Sequence, residues 1–198
     1  MKSRTLKKFA IEAQENMHKV KGHISLPFKR HPVNKKAKPI KRLDKFIFDY
    51  LDREHIPLSF DALETGVKVP RLEVSLLQGL KMFFAPITHY PDVTNYYTIA
   101  FHELGHSTGL EDSLNRGTLT CQLQSFGFVL STVRHKEELT AQACAYFLAR
   151  EKGLKPEELT ETLLLLRRIS KWVNGKFGVE LPQLEEGIEA ASYVLERR

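Results

Sequence analysis

Cysteine is scarce in this sequence, and long hydrophobic runs are missing. The 198 residues include two cysteines, Cys121 and Cys144, too few for a disulfide framework or for a zinc site built from several thiolates. No stretch of 18 uncharged apolar residues occurs, so we expect no membrane-spanning helix. The basic residues near the beginning are followed by Glu12 and Glu15 rather than by the apolar segment of a secretory signal. We therefore expect a cytoplasmic protein that makes no contact with a membrane.

Positive charge is concentrated in one part of the chain. Residues 1–45 contain 14 lysines and arginines against 3 acidic residues, a net charge of +11, whereas the remainder has 16 against 21, a net charge of −5. Hydrophobic residues make up 42% of the whole, enough for a folded core. We expect residues 1–41 to form a basic, flexible arm in which residues 5–19 form at most a polar helix. A solvated tail is the common role of such a run, and contact with nucleic acid through residues 1–45 is the alternative.

The segment after this arm has helical periodicity. Apolar residues recur every three or four positions between Leu43 and Leu51, and a second run of leucines follows Pro70. With Gly66 between the two runs, this is the outline of a helix-turn-helix. The second helix would carry few basic residues, so we favour a small helical segment over residues 42–80 that packs against the main domain.

Residues 81–198 are predicted to form the main domain, mostly helical and of the α+β class. This part begins with an apolar run that ends at Pro86, which predicts a strand over residues 81–86. Because proline interrupts a sheet ladder, we expect an edge strand. An extended peptide could then pair with it.

Two histidines four residues apart carry the clearest chemical signal. In a helix capped by Asp92 or Thr94, His102 and His106 face the same way and can bind one metal ion. Glu103 can face a metal-bound water and remove its proton, which makes it the predicted catalytic residue. This is the His-Glu-x-x-His pattern of zinc hydrolases, in which zinc lowers the pKa of its water to about 7.

A zinc site of this kind needs a third protein ligand. Asp112 would complete a metzincin pattern, but a metzincin also needs a methionine turn downstream of the helix. All the methionines lie upstream, at Met1, Met17 and Met82. On the next predicted helix, Glu138 is followed one turn later by Gln142, the gluzincin arrangement in which a glutamate binds zinc and the later group orients a histidine. On that spacing we favour Glu138 over Glu137 as the third ligand.

Several short motifs occur in one order along the second half of the chain. They are Phe84-Ala-Pro86, Asn95-Tyr96-Tyr97-Thr98, Phe101-His-Glu-Leu-Gly-His-Ser-Thr-Gly109, Ser113-Leu-Asn-Arg116, Phe126-Gly127 and Glu137-Glu-Leu-Thr-Ala141. This order resembles the zincin-like metallopeptidase domain of the antirestriction (ArdC-type) proteins of plasmids and phages. The resemblance covers roughly residues 80–198 and implies a zincin-like fold in a mobile-element or antirestriction context.

The chain departs from that family at three places. Gln142 stands where the family has a glutamate, and Ser107 stands where it has an aromatic residue. The N-terminal DNA-binding domain of the family is not recognisable in residues 1–80. Binding of single-stranded DNA is therefore not implied for this chain by the resemblance.

These residues predict a zinc-dependent metallopeptidase of the gluzincin type that acts on a peptide or protein. Its site comprises the Zn2+ ligands His102, His106 and Glu138, the general base Glu103 and the supporting residue Gln142. Candidates for stabilising the oxyanion are His135, Tyr146 and Tyr97. The alternative function is an antirestriction protein that binds nucleic acid or a nuclease and in which the metal site is structural or vestigial. The intact Glu103 favours the enzyme, because a structural zinc needs no general base.

Overall fold

The computed structural model describes residues 2–20, 34–59, 71–75, 79–90, 92–124, 131–174 and 181–196. The elements are α1 (Lys2–Lys19), α2 (Lys41–Arg53), β1 (Leu58–Ser59), β2 (Arg71–Ser75), β3 (Gly79–Phe83), α3 (Val93–Ser107), α4 (Gly117–Gln124), α5 (Ser131–Glu151), α6 (Thr160–Asn174) and α7 (Leu181–Leu195). Short 3-10 turns at Ile87–His89 and Pro156–Leu159 precede α3 and α6. The expected mostly helical α+β architecture is confirmed. Within the described ranges, no helix is long and apolar enough to cross a membrane.

Helix α5 is the centre of the molecule. Residues 139–149 are buried without interruption, and α5 packs against α3, α6 and α7, with α1 and α4 also in contact. Because this part of α5 is buried on every side, it lies inside the fold, and its polar side chains have partners there. Two glycines allow the neighbouring helices to come close. A Cβ at Gly105 of α3 would lie 2.9 Å from Ala141 Cα, and one at Gly187 of α7 would lie 2.5 Å from Ala143 Cβ.

Helix α1 packs against this core. Leu6, Ala10, Ala13 and Met17 follow one another at intervals of four, three and four residues, and each is completely buried. They lie against α5, α6 and α7. The prediction of a flexible arm is therefore wrong for residues 2–20. The segment looked polar in sequence because two residues of the buried stripe are easily left out of it. Ala10 is small, and Met17 lies near the end of the helix.

Helix α2 forms where its periodicity predicted a helix. Its buried residues are Leu43, Ile47, Tyr50 and Leu51, all from the predicted apolar face. The ring of Phe46 on the same helix packs edge-on to Phe101 of α3, with ring centroids 5.9 Å apart. Helix α2 therefore packs directly against the helix that carries the two motif histidines.

The three strands form one small sheet in the order β1-β3-β2. β1 pairs with β3 in parallel and β2 pairs with β3 in antiparallel fashion. The predicted edge strand is therefore the inner strand of the sheet. The predicted helix after Pro70 is also wrong, since residues 71–75 form β2. In sequence, these residues alternate polar and apolar side chains, which is the two-residue period of a strand, whereas the leucines alone have the wider spacing of a helix. Pairing with β3 stabilises the strand. The turn at Gly66 lies outside the described residues.

The burial of α1 leads to a test of its contribution to stability. Leu6→Ala should lower the free energy of unfolding by about 2–5 kcal/mol, because it leaves a cavity between α1 and the core. Urea denaturation followed by circular dichroism measures this effect. Ile11→Ala is the matched control on the same helix, where 52% of the side chain is exposed, and its cost should stay within about 0.5 kcal/mol. Equal, small costs would show that α1 is detached in solution.

Candidate metal centre

Helices α3 and α5 carry the residues predicted to bind the metal, and each helix is fixed by its own contacts. The Asp92 side chain accepts a hydrogen bond from the Asn95 backbone N–H at 2.8 Å, which confirms the predicted cap of α3. Near the other end of α3, Gly105 lies against Ala141 of α5. This contact brings the backbones of the two helices together beside the motif histidines.

Three side chains converge between these helices. The Nε2 atoms of His102 and His106 lie 3.0 Å apart. Glu138 places Oε2 at 3.3 Å from His102 Nε2 and Oε1 at 3.8 Å from His106 Nε2. In the part of the chain that the structure describes, these three residues form the group whose donor atoms could hold a metal ion. Ligands about 2.0–2.1 Å from one zinc ion, at tetrahedral angles, lie about 3.3 Å from one another, so the donor set fits such an ion.

Gln142 orients the first histidine. Its Oε1 lies 2.9 Å from His102 Nδ1, and its Nε2 donates to the Thr162 carbonyl oxygen at 3.3 Å. A carbonyl oxygen only accepts, so the amide nitrogen of Gln142 has to face Thr162, and Oε1 has to face the histidine. His102 then carries its proton on Nδ1, and its Nε2 lone pair is directed towards Glu138 and His106.

Glu137 orients the second histidine. Its side chain is completely buried, and its Oε1 lies 3.1 Å from His106 Nδ1. Arg116 donates to both carboxylate oxygens, at 2.6 and 3.1 Å, and Thr118 donates to Oε2 at 2.7 Å. Burial would raise the pKa of the Glu137 carboxyl, but the hydrogen bonds from His106 and Arg116 lower it to about 2. Glu137 is therefore ionised, and it faces the Nδ1 side of His106, away from the three converging atoms.

The site favours a positive charge between its ligands. Burial would lower the pKa of His106, but Glu137 and Glu138 raise it to about 10, and the charge of Glu103 adds to this effect. Burial likewise opposes the ionisation of Glu138, but the neighbouring His102 and His106 hold the pKa of its carboxyl far below the usual range. A metal cation and a proton compete for such a site, because metal binding displaces protons from the ligands.

The sequence did not reveal the part that Arg116 plays here. Arg116 also donates to the Gly105 carbonyl oxygen at 2.9 Å and to Thr108 Oγ1 at 2.7 Å. It therefore joins the C-terminal turn of α3 to Glu137 of α5. The signal available in the sequence was its place in the motif Ser113-Leu-Asn-Arg116, which carries no information on a partner 21 positions away.

Two of the residues predicted to stabilise the oxyanion donate their hydroxyl hydrogen bonds to other helices. The Tyr146 hydroxyl donates to Glu12 Oε1 on α1 at 2.6 Å, and the Tyr97 hydroxyl donates to Asp44 Oδ1 on α2 at 2.7 Å. Both rings are completely buried. His135 lies on α5 one turn before Glu138, and its ring packs against Trp172, with centroids 5.0 Å apart. The structure thus brings Gln142 to the ligands but turns the Tyr97 and Tyr146 hydroxyls to the N-terminal helices.

Comparison with known protein families matches the part of the chain that carries this site. A family model, MPTase-PolyVal, described as a zincin-like metallopeptidase, matches residues 81–174. The matched segment contains His102, His106, Glu138 and the two residues that orient the histidines. No curated protein and no solved structure shows a significant match.

The contact between Gln142 and His102 is expected to tune metal affinity. Gln142→Leu should weaken zinc binding by about 10–100-fold, because His102 loses the acceptor that fixes its tautomer. Competition with a chromophoric chelator measures the affinity, with the melting temperature as a check on folding. Gln142→Glu keeps an acceptor and adds a negative charge beside His102, so it should bind zinc at least as tightly as the wild type. An unchanged affinity in the leucine variant would mean that this hydrogen bond does not support the ligand.

Proposed function

We propose that the zincin-like metallopeptidase domain formed by residues 81–174 is a zinc-dependent peptidase of the gluzincin type. The observation that supports this is the convergence of His102 Nε2, His106 Nε2 and the Glu138 carboxylate, with Glu103 next to the first ligand. Structural zinc sites have four protein ligands, whereas catalytic sites have three and keep one position for water or substrate. The described residues provide three.

The chain has a residue for each further role in hydrolysis. A zinc ion bound by these three residues would supply an acidic water and would polarise the carbonyl of a peptide bond. Glu103 accepts the proton of the attacking water and later delivers it to the leaving amine. Gln142 and Glu137 hold the Nδ1 protons of the two histidines and so keep both Nε2 atoms available as ligands.

One set of variants tests the metal and the base separately. The wild type should contain one zinc ion per chain, which His102→Ala should abolish and Glu138→Ala should weaken, because both residues are ligands. Glu103→Gln should keep the zinc and abolish the hydrolysis of a quenched fluorescent peptide library, because it removes only the base. Elemental analysis and fluorescence give the two readouts.

The outcomes separate the possible failures. Wild-type protein that takes up no zinc would contradict the metal centre itself. Zinc uptake with an unchanged rate in Glu103→Gln would contradict the role of the base. Zinc uptake without any hydrolysis by the wild type would favour a structural or vestigial site.

The biological context rests on the resemblance to antirestriction proteins. We propose that the peptidase acts on a protein substrate in the competition between a mobile element and its host. Contact with nucleic acid through residues 1–45 is a second proposal. Helix α1 carries Arg4, Lys7 and Lys8 at exposed positions, and its packing against the core gives these charges a fixed surface that a phosphate backbone could contact.

The proposed contact with nucleic acid has a quantitative test. Replacing Arg4, Lys7 and Lys8 by glutamine should weaken binding to a labelled DNA duplex. The slope of log affinity against log salt should fall by about 0.9 for each phosphate that the variant no longer neutralises. Fluorescence anisotropy at several salt concentrations measures both quantities. The matched control replaces three exposed cations outside this region, Arg134, Lys136 and Lys155, which changes the net charge equally. The same weakening in both variants would point to net charge and not to α1.

A further inference from the structure

Trp172 is an exposed aromatic side chain on α6, the helix that packs beside the metal-bearing part of α5. It is the sole tryptophan of the sequence, and 47% of it is exposed. The Arg168 guanidinium lies over its ring, 4.7 Å from the centroid, and the His135 ring packs against it, with centroids 5.0 Å apart. We call these three side chains the Trp172 cluster. One exposed aromatic residue is common on a protein surface, but the position of this cluster relative to the metal ligands gives it a use.

The Trp172 cluster lies at one end of a stripe along α6. Glu161, Arg168 and Trp172 are separated by seven and four residues, so they share one face of the helix. At the other end of the stripe, Glu161 accepts a hydrogen bond from the Asn95 side chain of α3 at 2.8 Å. Asn95 and His102 are also seven residues apart and share a face of α3. One end of the stripe therefore contacts the face of α3 that carries the first metal ligand.

Helix α5 forms the floor between α3 and α6, since both pack against it. Gln142 donates to the Thr162 carbonyl oxygen near the beginning of α6. His135, seven residues earlier on α5, contacts Trp172 near the end of α6. The two helices therefore run antiparallel, and Glu138 lies between these two contacts. Because 30% of the Glu138 side chain is exposed, the metal centre is open to solvent on the side of α5 that α6 borders.

The Trp172 cluster is within reach of a peptide bound at the metal ligands. His135 and Glu138 are three residues apart on α5, a spacing that places Cβ atoms about 5–6 Å from each other. The Trp172 ring lies 5.0 Å from the His135 ring. The indole is therefore within about 11 Å of the Glu138 side chain, which about three residues of an extended peptide span.

The charge of the Trp172 cluster favours an acidic ligand. A guanidinium that stacks on an indole keeps the N–H groups at its edge available, and these match a carboxylate in bidentate geometry. In the described part of the chain, no residue accepts a hydrogen bond from Arg168 or forms an ion pair with it. Arg134, one turn before Glu138 on α5, adds a second exposed positive charge near the opening.

We propose that the Trp172 cluster is a subsite that binds an acidic side chain of the peptide substrate. The carboxylate pairs with Arg168, and the aliphatic part of the same side chain lies against the indole. His135 is a positioning residue that holds the indole beside Glu138. The proximity to the metal ligands favours a peptide over a nucleic acid, because a substrate has to reach them. This inference rests on the proposed peptidase function and specifies its substrate as an acidic peptide.

The preference for an acidic residue is tested with the zinc-loaded full chain. The substrates form a quenched fluorescent peptide library in which one position at a time is fixed as glutamate, glutamine or lysine. At one position within about three residues of the scissile bond, kcat/KM should be about 3–10-fold higher with glutamate than with glutamine, the effect of one partly screened ion pair. Arg168→Gln should abolish this preference without changing the zinc content. Arg168→Glu should reverse it in favour of lysine.

Binding to the subsite has a readout that does not depend on hydrolysis. Because Trp172 is the sole tryptophan, its emission reports on this subsite alone. Zinc-loaded Glu103→Gln should bind the unlabelled form of the best acidic peptide with a change in emission, and the glutamine analogue of that peptide about 3–10-fold more weakly. Trp172→Ala, measured by hydrolysis, should raise KM with little change in kcat, because it removes a binding surface and no reacting group.

Two matched controls lie on other helices. Arg4→Glu makes the same charge reversal at an exposed position of α1. Phe48→Ala removes a ring of α2 that is 39% exposed. Both variants should keep the wild-type preference for glutamate and the wild-type KM.

The contrary outcomes are distinct. Hydrolysis without a preference for glutamate, or a preference that Arg168→Glu retains, would overturn this inference and leave the peptidase intact. So would a preference lost together with zinc in Arg168→Gln, since Arg168 would then act through the ligands. A change in Trp172 emission with oligothymidine but not with the acidic peptide would replace the peptide by a nucleic acid as the ligand. A zinc-loaded wild type that hydrolyses no peptide would overturn the proposed function, and this inference with it.

Discussion

The buried charge of Glu137 is the constraint on which the arrangement of the site depends. A carboxylate without solvent contact needs partners, and Arg116, Thr118 and His106 provide them. Removal of one partner from a buried ion pair typically costs about 3–5 kcal/mol, because the remaining charge stays uncompensated. Since Arg116 also binds the Gly105 carbonyl, the network fixes the register of α5 against α3. Glu138 is rotated by about 100° from Glu137 on the same helix, so this register decides that Glu138, and not its neighbour, faces the Nε2 atoms.

Close packing and hydrogen bonds transmit this register to the rest of the molecule. Because Gly105 and Gly187 have no side chain, α3 and α7 come close to the backbone of α5 on two sides. Burial between the helices raises the pKa of the Cys144 thiol to about 12, so Cys144 remains a neutral core side chain. The Tyr146 hydroxyl joins α5 to α1, and the Tyr97 hydroxyl joins α3 to α2. The N-terminal helices are therefore structural supports of the site, whatever else their positive charge binds.

Sequence reasoning succeeded where the geometry is local. Within one helix, spacing alone decides which side chains share a face, so the pair His102 and His106 and the pair Glu138 and Gln142 were predictable. Prediction from the sequence failed where burial or secondary structure depends on contacts with residues distant in the chain. The burial of Ala10 requires α5, α6 and α7, and the strand character of residues 71–75 requires β3.

The neutral side chain at position 142 has a definite electrostatic consequence. The charge of Glu137 is balanced by Arg116, so the charges left to balance a divalent ion are those of Glu138 and Glu103, and their sum is −2. The resembled family has a glutamate at position 142, which would add a third negative charge beside His102. An amide still accepts the Nδ1 proton of His102, but it makes the histidine a less basic ligand than a carboxylate does. If His102 binds zinc as proposed, this chain would keep the orientation of that ligand but donate less electron density to the ion, which would remain a stronger Lewis acid.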